Sequence, residues 1–113
     1  MKISTREASG VAILDVEGKV TIEAGPGQIH EAVRRLLAQS KKKILVNLKN
    51  VSFMDSVGVG TLVASYTTVV GGNGRMILVN ASDRVEHVLS ITNLLKVIET
   101  CQDERRGIAR LSE

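Results

Sequence analysis

Hydrophobic and polar positions alternate from Lys2 to Ala8, and Ser9-Gly10 offers a tight turn before the run from Val11 to Val16. In that second run Ala12, Leu14 and Val16 share one face, while Asp15 and Glu17 take the other. The pattern predicts a β-hairpin with one buried and one wetter face. Gly18 is expected to end the strand, with Lys19-Val20-Thr21 as a short extension. Glu23-Ala24-Gly25-Pro26-Gly27 then reads as a loop rich in chain breakers. Ile29, Val33, Leu36 and Leu37 recur at helical spacing and predict an amphipathic helix ending near Ser40. Ile44 to Leu48 is a continuous apolar run of mostly branched residues, as in a strand covered on both faces.

Farther on, Val59, Leu62, Val63, Tyr66, Val69 and Val70 mark one helical face. Gly71-Gly72-Asn73-Gly74 supplies residues suited to a left-handed helix end. Met76-Ile77-Leu78-Val79 predicts a second buried strand. Ser82 or Asp83 can cap a third helix that turns Val85, Val88 and Leu89 inward, with Glu86 completing a capping box from Asp83. Leu94-Leu95-Lys96-Val97-Ile98 is expected to carry the chain back to the sheet. A last helix is expected from Glu104 to Leu111, within about 103–112, on the strength of Ile108 and Leu111. Two strands followed by alternating helices and strands predict an α/β fold, a mixed sheet of about four to five strands flanked by about four helices. The 113 residues fit one domain, residues 1–113, with its core over about residues 2–100.

Composition narrows the function classes. Hydrophobic residues make up 43% and charged residues 24%, the ordinary globular range. The net charge of +3 and pI near 9.3 concentrate at Lys41-Lys42-Lys43 and Arg105-Arg106, which read as solvated faces. The lysines also complement a helix C-terminus. Only Phe53 and Tyr66 are aromatic, so a platform for stacking bases is absent and no nucleic acid partner is expected. Cys101 stands alone, which rules out an internal disulfide and fits a reducing compartment. Met1-Lys2-Ile3-Ser4-Thr5-Arg6-Glu7 reads as a strand rather than a leader, and no apolar run is long enough to span a bilayer. The expectation is a cytoplasmic protein without membrane insertion.

The chemistry concentrates at Met54-Asp55-Ser56-Val57-Gly58-Val59-Gly60, between a strand and a helix. One serine there sits beside one carboxylate at a helix N-terminus. Its backbone N–H groups lack intrahelical partners and the helix dipole favours negative charge, so a phosphate on Ser56 would meet waiting donors. Capping alone accounts for Asp55 or Ser56, a use worth about 1 kcal/mol. It does not account for Gly58 and Gly60, since glycine weakens a helix by roughly 1 kcal/mol relative to alanine. The predicted benefit is an uncrowded surface that a partner or a phosphate can approach closely.

Other chemistries fare worse. A serine hydrolase needs a base at the hydroxyl and a group to orient it. Only His30 and His87 are available, both expected to be exposed and structural, and the flanking residues do not form a nucleophile elbow. No catalytic residue is assigned, and the chain is not read as an enzyme. One cysteine and two distant histidines lack metal-ligand spacing. Gly71-Gly72-Asn73-Gly74-Arg75 precedes a strand and lacks the lysine and hydroxyl of a phosphate-binding loop. No cofactor is expected.

The order of elements, with Asp55-Ser56-Val57-Gly58-Val59-Gly60 following a strand that runs to Asn47-Leu48-Lys49-Asn50-Val51, resembles a bacterial STAS domain. Within that superfamily it is most similar to the anti-sigma-factor antagonists. The likeness covers roughly Lys2 to Thr100, and the Asp-Ser-x-Gly turn is its most specific part. The resemblance implies partner switching. The unphosphorylated antagonist binds an anti-sigma factor with serine kinase activity, is released when that kinase phosphorylates the motif serine, and is reset by a serine phosphatase. Carried over, Ser56 is the phosphoacceptor, and Thr21, Asp55, Ser56, Val57, Gly58 and Gly60 form the partner-binding surface. Thr21 stands where many members carry an acidic residue after the second strand, and is expected to substitute by a hydrogen bond. A homodimer through the apolar face of the first hairpin stays open. The alternative is a structural STAS subunit of a stress-signalling or lipid-transport assembly, with Ser56 never phosphorylated. Nucleotide or small-ligand binding has only the helix N-terminus in its favour.

Overall fold

The two periodicities become a mixed sheet with helices on both faces in the computed structural model, which describes residues 1–25, 27–93 and 96–113. The strands are β1 (Lys2–Ala8), β2 (Val11–Val20), β3 (Lys43–Met54), β4 (Arg75–Val79) and β5 (Glu99–Cys101). The helices are α1 (Gly27–Ala38), α2 (Ser56–Gly71), α3 (Asp83–Ile91) and α4 (Glu104–Leu111), with a 3-10 turn at Ile22–Ala24. Strand order follows the chain, β1 to β5; β1 runs antiparallel to β2, and every later neighbour is parallel. Ser9 and Gly10 both have positive φ, the mirror-image turn whose twist suits a two-residue hairpin.

Alternation along the central strands divides the core into two layers. Ala12, Leu14, Val16, Ile44, Val46, Leu48, Met76 and Leu78 face α1, α2 and α3. Val11, Ile13, Leu45, Ile77 and Val79 face the other way, where Leu111 of α4 packs on them. Among the described residues one short helix covers that second face. Gly107 lets it come close, because a Cβ there would lie 2.6 Å from Leu45 Cδ1. Arg6 fastens the helix from β1, with its guanidinium on both Asp15 and Glu104, and Asn47 Nδ2 donates to Glu104 Oε1 at 3.2 Å.

Several boundaries differ from expectation. Gly18, at φ 94, does not end β2. It sits beside one of two register shifts against β3, and the strand continues to Val20 as a bulge allows. Likewise β3 runs past Leu48 to Met54. Both extensions matter, since they deliver Val20 and Met54 to the start of α2. Ser82 caps α3 by accepting the Val85 N–H at 3.3 Å, so Asp83 is already helical and no Asp83–Glu86 box forms. Val70 is 49% exposed, outside the buried stripe of α2.

The chain returns to the sheet just after the run from Leu94 to Ile98, through β5. Leu94 and Leu95 lie outside the described residues, Lys96 is in 3-10 conformation, and Val97 and Ile98 form turn and bend. Buried Ile98 anchors the chain just before β5, whose three residues pair with Ile77, Leu78 and Val79. His30 is half-buried rather than exposed, and its Nε2 lies 2.8 Å from Thr68 Oγ1, a structural contact that joins α1 to α2. His87 is exposed as expected. Of the lysine run, Lys41 pairs with Glu7 at 3.2 Å while Lys42 and Lys43 are solvated.

Candidate functional site

Two chain segments meet at the N-terminus of α2. Asp55 is its N-cap, with extended backbone at φ −104 and ψ −178. Its Oδ1 accepts the Gly58 N–H at 2.9 Å, as a capping carboxylate should. Its Oδ2 accepts the Ile22 N–H at 3.0 Å, which ties the loop after β2 to the helix start. Those two backbone donors, Gly58 first, hold the Asp55 carboxyl below the usual carboxylate range. The Asp55 N–H in turn reaches the Val20 carbonyl at 3.3 Å. One side chain thus serves as cap, tie and fixed negative charge.

Ser56 follows as the first residue of α2 and is exposed. Among the described residues its hydroxyl has no hydrogen-bond partner. Neither histidine serves it as a base, because His30 is engaged with Thr68 and His87 sits on α3. The Ser56 hydroxyl is thus exposed, with neither histidine placed to take its proton. Its backbone amide points along a sixteen-residue helix with no acidic residue in the first turn. Negative charge added here would be stabilised locally. Around the turn Ile22, Phe53 and Val57 remain exposed at 65%, 40% and 41%, an apolar rim to a polar centre.

The two glycines separate. Gly60 has open space where a Cβ would be, in keeping with an approachable surface. Gly58 is buried, and a Cβ there would fall onto the Val20 carbonyl oxygen and within 2.9 Å of Val20 Cγ1. Its small size lets β2 and α2 touch, so the expectation that it keeps the surface open is corrected. Thr21 is half-buried beside the turn, but its side chain makes no capping hydrogen bond. The next backbone N–H, that of Ile22, makes the bond to Asp55 instead. Ile22 is thus a site residue that the pattern reading missed, since a backbone donor leaves no mark in side-chain identity. No group of three or more metal-ligating side chains gathers among the described residues.

The STAS domain family matches residues 2–107. The chain belongs to that family. STAS relatives include the anti-sigma F factor antagonist of Paenibacillus polymyxa, 25% identical across 98% of this chain and 95% of its own length. The anti-sigma-B factor antagonist of Bacillus subtilis is 27% identical across 84% of this chain and 85% of its own. Among solved STAS folds, an anti-sigma factor antagonist from Mycobacterium paratuberculosis superposes with TM-score 0.87 at 20% identity, over 99% of this chain and 94% of that one. The unphosphorylated antagonist SpoIIAA superposes with TM-score 0.73 at 20% identity, over 98% of each chain. Its phosphorylated form, from Bacillus, gives 0.71 at 22% identity, over 97% of this chain and 99% of that one. At these identities the solved structures speak to the fold, and they agree with a five-stranded mixed sheet.

Proposed function

We propose that this STAS protein is an anti-sigma factor antagonist that works as a phosphorylation switch at Ser56. In its unphosphorylated state it binds an anti-sigma factor with serine kinase activity and so frees a sigma factor for transcription. Phosphorylation of Ser56 releases the partner, and a serine phosphatase restores the binding form. The observation that carries this reading is an exposed, unbonded hydroxyl at the first position of α2, beside a carboxylate with both oxygens engaged. The names of the relatives support the antagonist role, and the partner and the modification are in the cytoplasm on this account.

The physics of such a switch is direct. A phosphate adds about −1.5 to −2 charge near neutral pH. The helix N-terminus accommodates it, so the fold is retained. At the interface the same charge stands beside the Asp55 carboxylate, which must stay ionised to hold Ile22 and Gly58. A partner surface fitted to one negative group and the apolar rim of Ile22 and Val57 then faces a second negative group that it must desolvate.

The test is capture from the native host's lysate with wild type, Ser56→Ala and Ser56→Asp as baits. The switch requires a serine kinase held by the first two and lost by the third. Recovery of one non-kinase assembly by all three assigns the chain a structural role instead.

A further inference from the structure

We propose that the cleft between β1 and α1 is a docking groove in which an extended, acidic segment of a partner protein adds to the sheet as a strand beside β1. The first observation is the sheet edge. β1 ends the strand order, so among the described residues no strand lies on its outer side. A two-residue mirror turn is closed by a hydrogen-bonded pair, here Ala8 and Val11, and such pairs recur at alternate residues. Ala8, Arg6, Ser4 and Lys2 therefore turn their backbone groups to β2. Ile3, Thr5 and Glu7 turn theirs outward.

The second observation is independent of the first. The same three residues line an open cavity of about 830 Å³ against one side of α1. Its floor is apolar, with Leu36 buried and Ile3 and Ala32 half-buried. A strand added along β1 would hydrogen-bond at Ile3, Thr5 and Glu7 and lay alternate side chains over that floor, the mode of β-augmentation. Arg35 and Lys41 stand on the rim, Lys41 paired with Glu7 at 3.2 Å, and with exposed Arg34, Lys42 and Lys43 adjoining in sequence the cations outnumber the lining carboxylates Glu7 and Glu31. Arg35 is held only loosely, 3.8 Å from an exposed Glu31. The cations select an acidic segment. The same excess of cations disfavours a second copy of this chain, which would bring its own Arg34, Arg35, Lys42 and Lys43 to the shared edge. The groove has no residue in common with the stretch from Asp55 to Gly60, so both surfaces can be occupied at once.

The probe is a blocked peptide of alternating valine and threonine ended by three glutamates, made in both polarities and titrated into the full chain by amide NMR. Expected are shifts and slowed exchange at the Ile3, Thr5 and Glu7 amides. Thr5→Pro removes an outward N–H from an edge strand, where proline is tolerated, and is expected to weaken binding about tenfold. Arg35→Glu, which is solvent-exposed and leaves the core intact, is expected to shift preference to the same peptide ended by lysines. Three results overturn the proposal: no binding up to the millimolar range, equal affinity for glutamate- and lysine-ended peptides, or shifts gathered at Asp55 to Gly60. A concentration-dependent dimer dissolved by Thr5→Pro overturns it too, since the edge then serves self-pairing.

Discussion

Asp55 and Ile22 are joined by a 3.0 Å hydrogen bond from the Ile22 N–H to the carboxylate, across 33 residues of chain. The loop after β2 and the start of α2 therefore form one surface. Asp55→Asn separates its two tasks, because an amide has a single carbonyl oxygen to accept with. That oxygen is expected to keep the Gly58 cap, while the Ile22 amide loses its partner. Hydrogen exchange at Ile22 should accelerate about tenfold in this variant with exchange at Gly58 little changed. Equal protection of Ile22 in both proteins contradicts the tie.

Acid should loosen the same turn. The folded value of the Asp55 carboxyl lies below its ordinary 3.8, through Gly58 and then Ile22. A depressed carboxyl contributes stability that is present above its unfolded value and lost as pH falls through the folded one. Glu104 behaves alike, held below its ordinary 4.5 first by Arg6, despite burial, and then by Asn47. Unfolding midpoints followed from pH 7 downward should fall below about pH 4.5. Asp55→Asn and Glu104→Gln should each flatten that fall. An acid profile of either variant that superimposes on wild type contradicts the assignment.

The glycines of the motif should respond in opposite directions. Gly58→Ala drives a methyl into the Val20 backbone, which cannot rotate away, and should destabilise by about 1–3 kcal/mol or more. Gly60→Ala meets nothing within 4 Å and should stabilise by about 0.5–1 kcal/mol through helix propensity. Urea unfolding reads both. If Gly60 lies under the partner, its alanine variant combines a more stable fold with weaker partner binding.

The clasp on the second sheet face is also testable. Leu111 is 1% exposed and packs with Ile77 and Val79 under α4. Leu111→Ala should cost about 2–3 kcal/mol, as for a buried leucine at a helix end. Because α2 lies on the other face, amide shifts at Ser56 and Gly58 should scarcely move.

Much of this was legible in the chain. Continuous apolar runs marked β3 and β4, since strands covered on both faces leave no polar position to confuse the reading. The turn from Asp55 to Gly60 stood out because two glycines so near a helix start need a reason. Which reason was not legible: Gly58 is small for the Val20 carbonyl and Gly60 for open space, and only the fold separates them. The path beyond Gly18 was hidden for a similar cause, as a bulge lets a strand continue where glycine reads as an end. β5 itself carried no strand pattern, because its three residues include two polar ones, while apolar Val97 and Ile98 just before it marked only the return to the sheet. The Arg6–Glu104 clasp spans 98 residues and no local pattern anticipates it.

The most direct measurement is the affinity of the partner kinase for the purified chain with and without stoichiometric phosphate on Ser56, each form checked for its fold by amide NMR. The account predicts binding about a hundredfold weaker after phosphorylation, with the sheet and helices unchanged. Equal affinity of the two forms, or phosphate placed by that kinase on a residue other than Ser56, contradicts it.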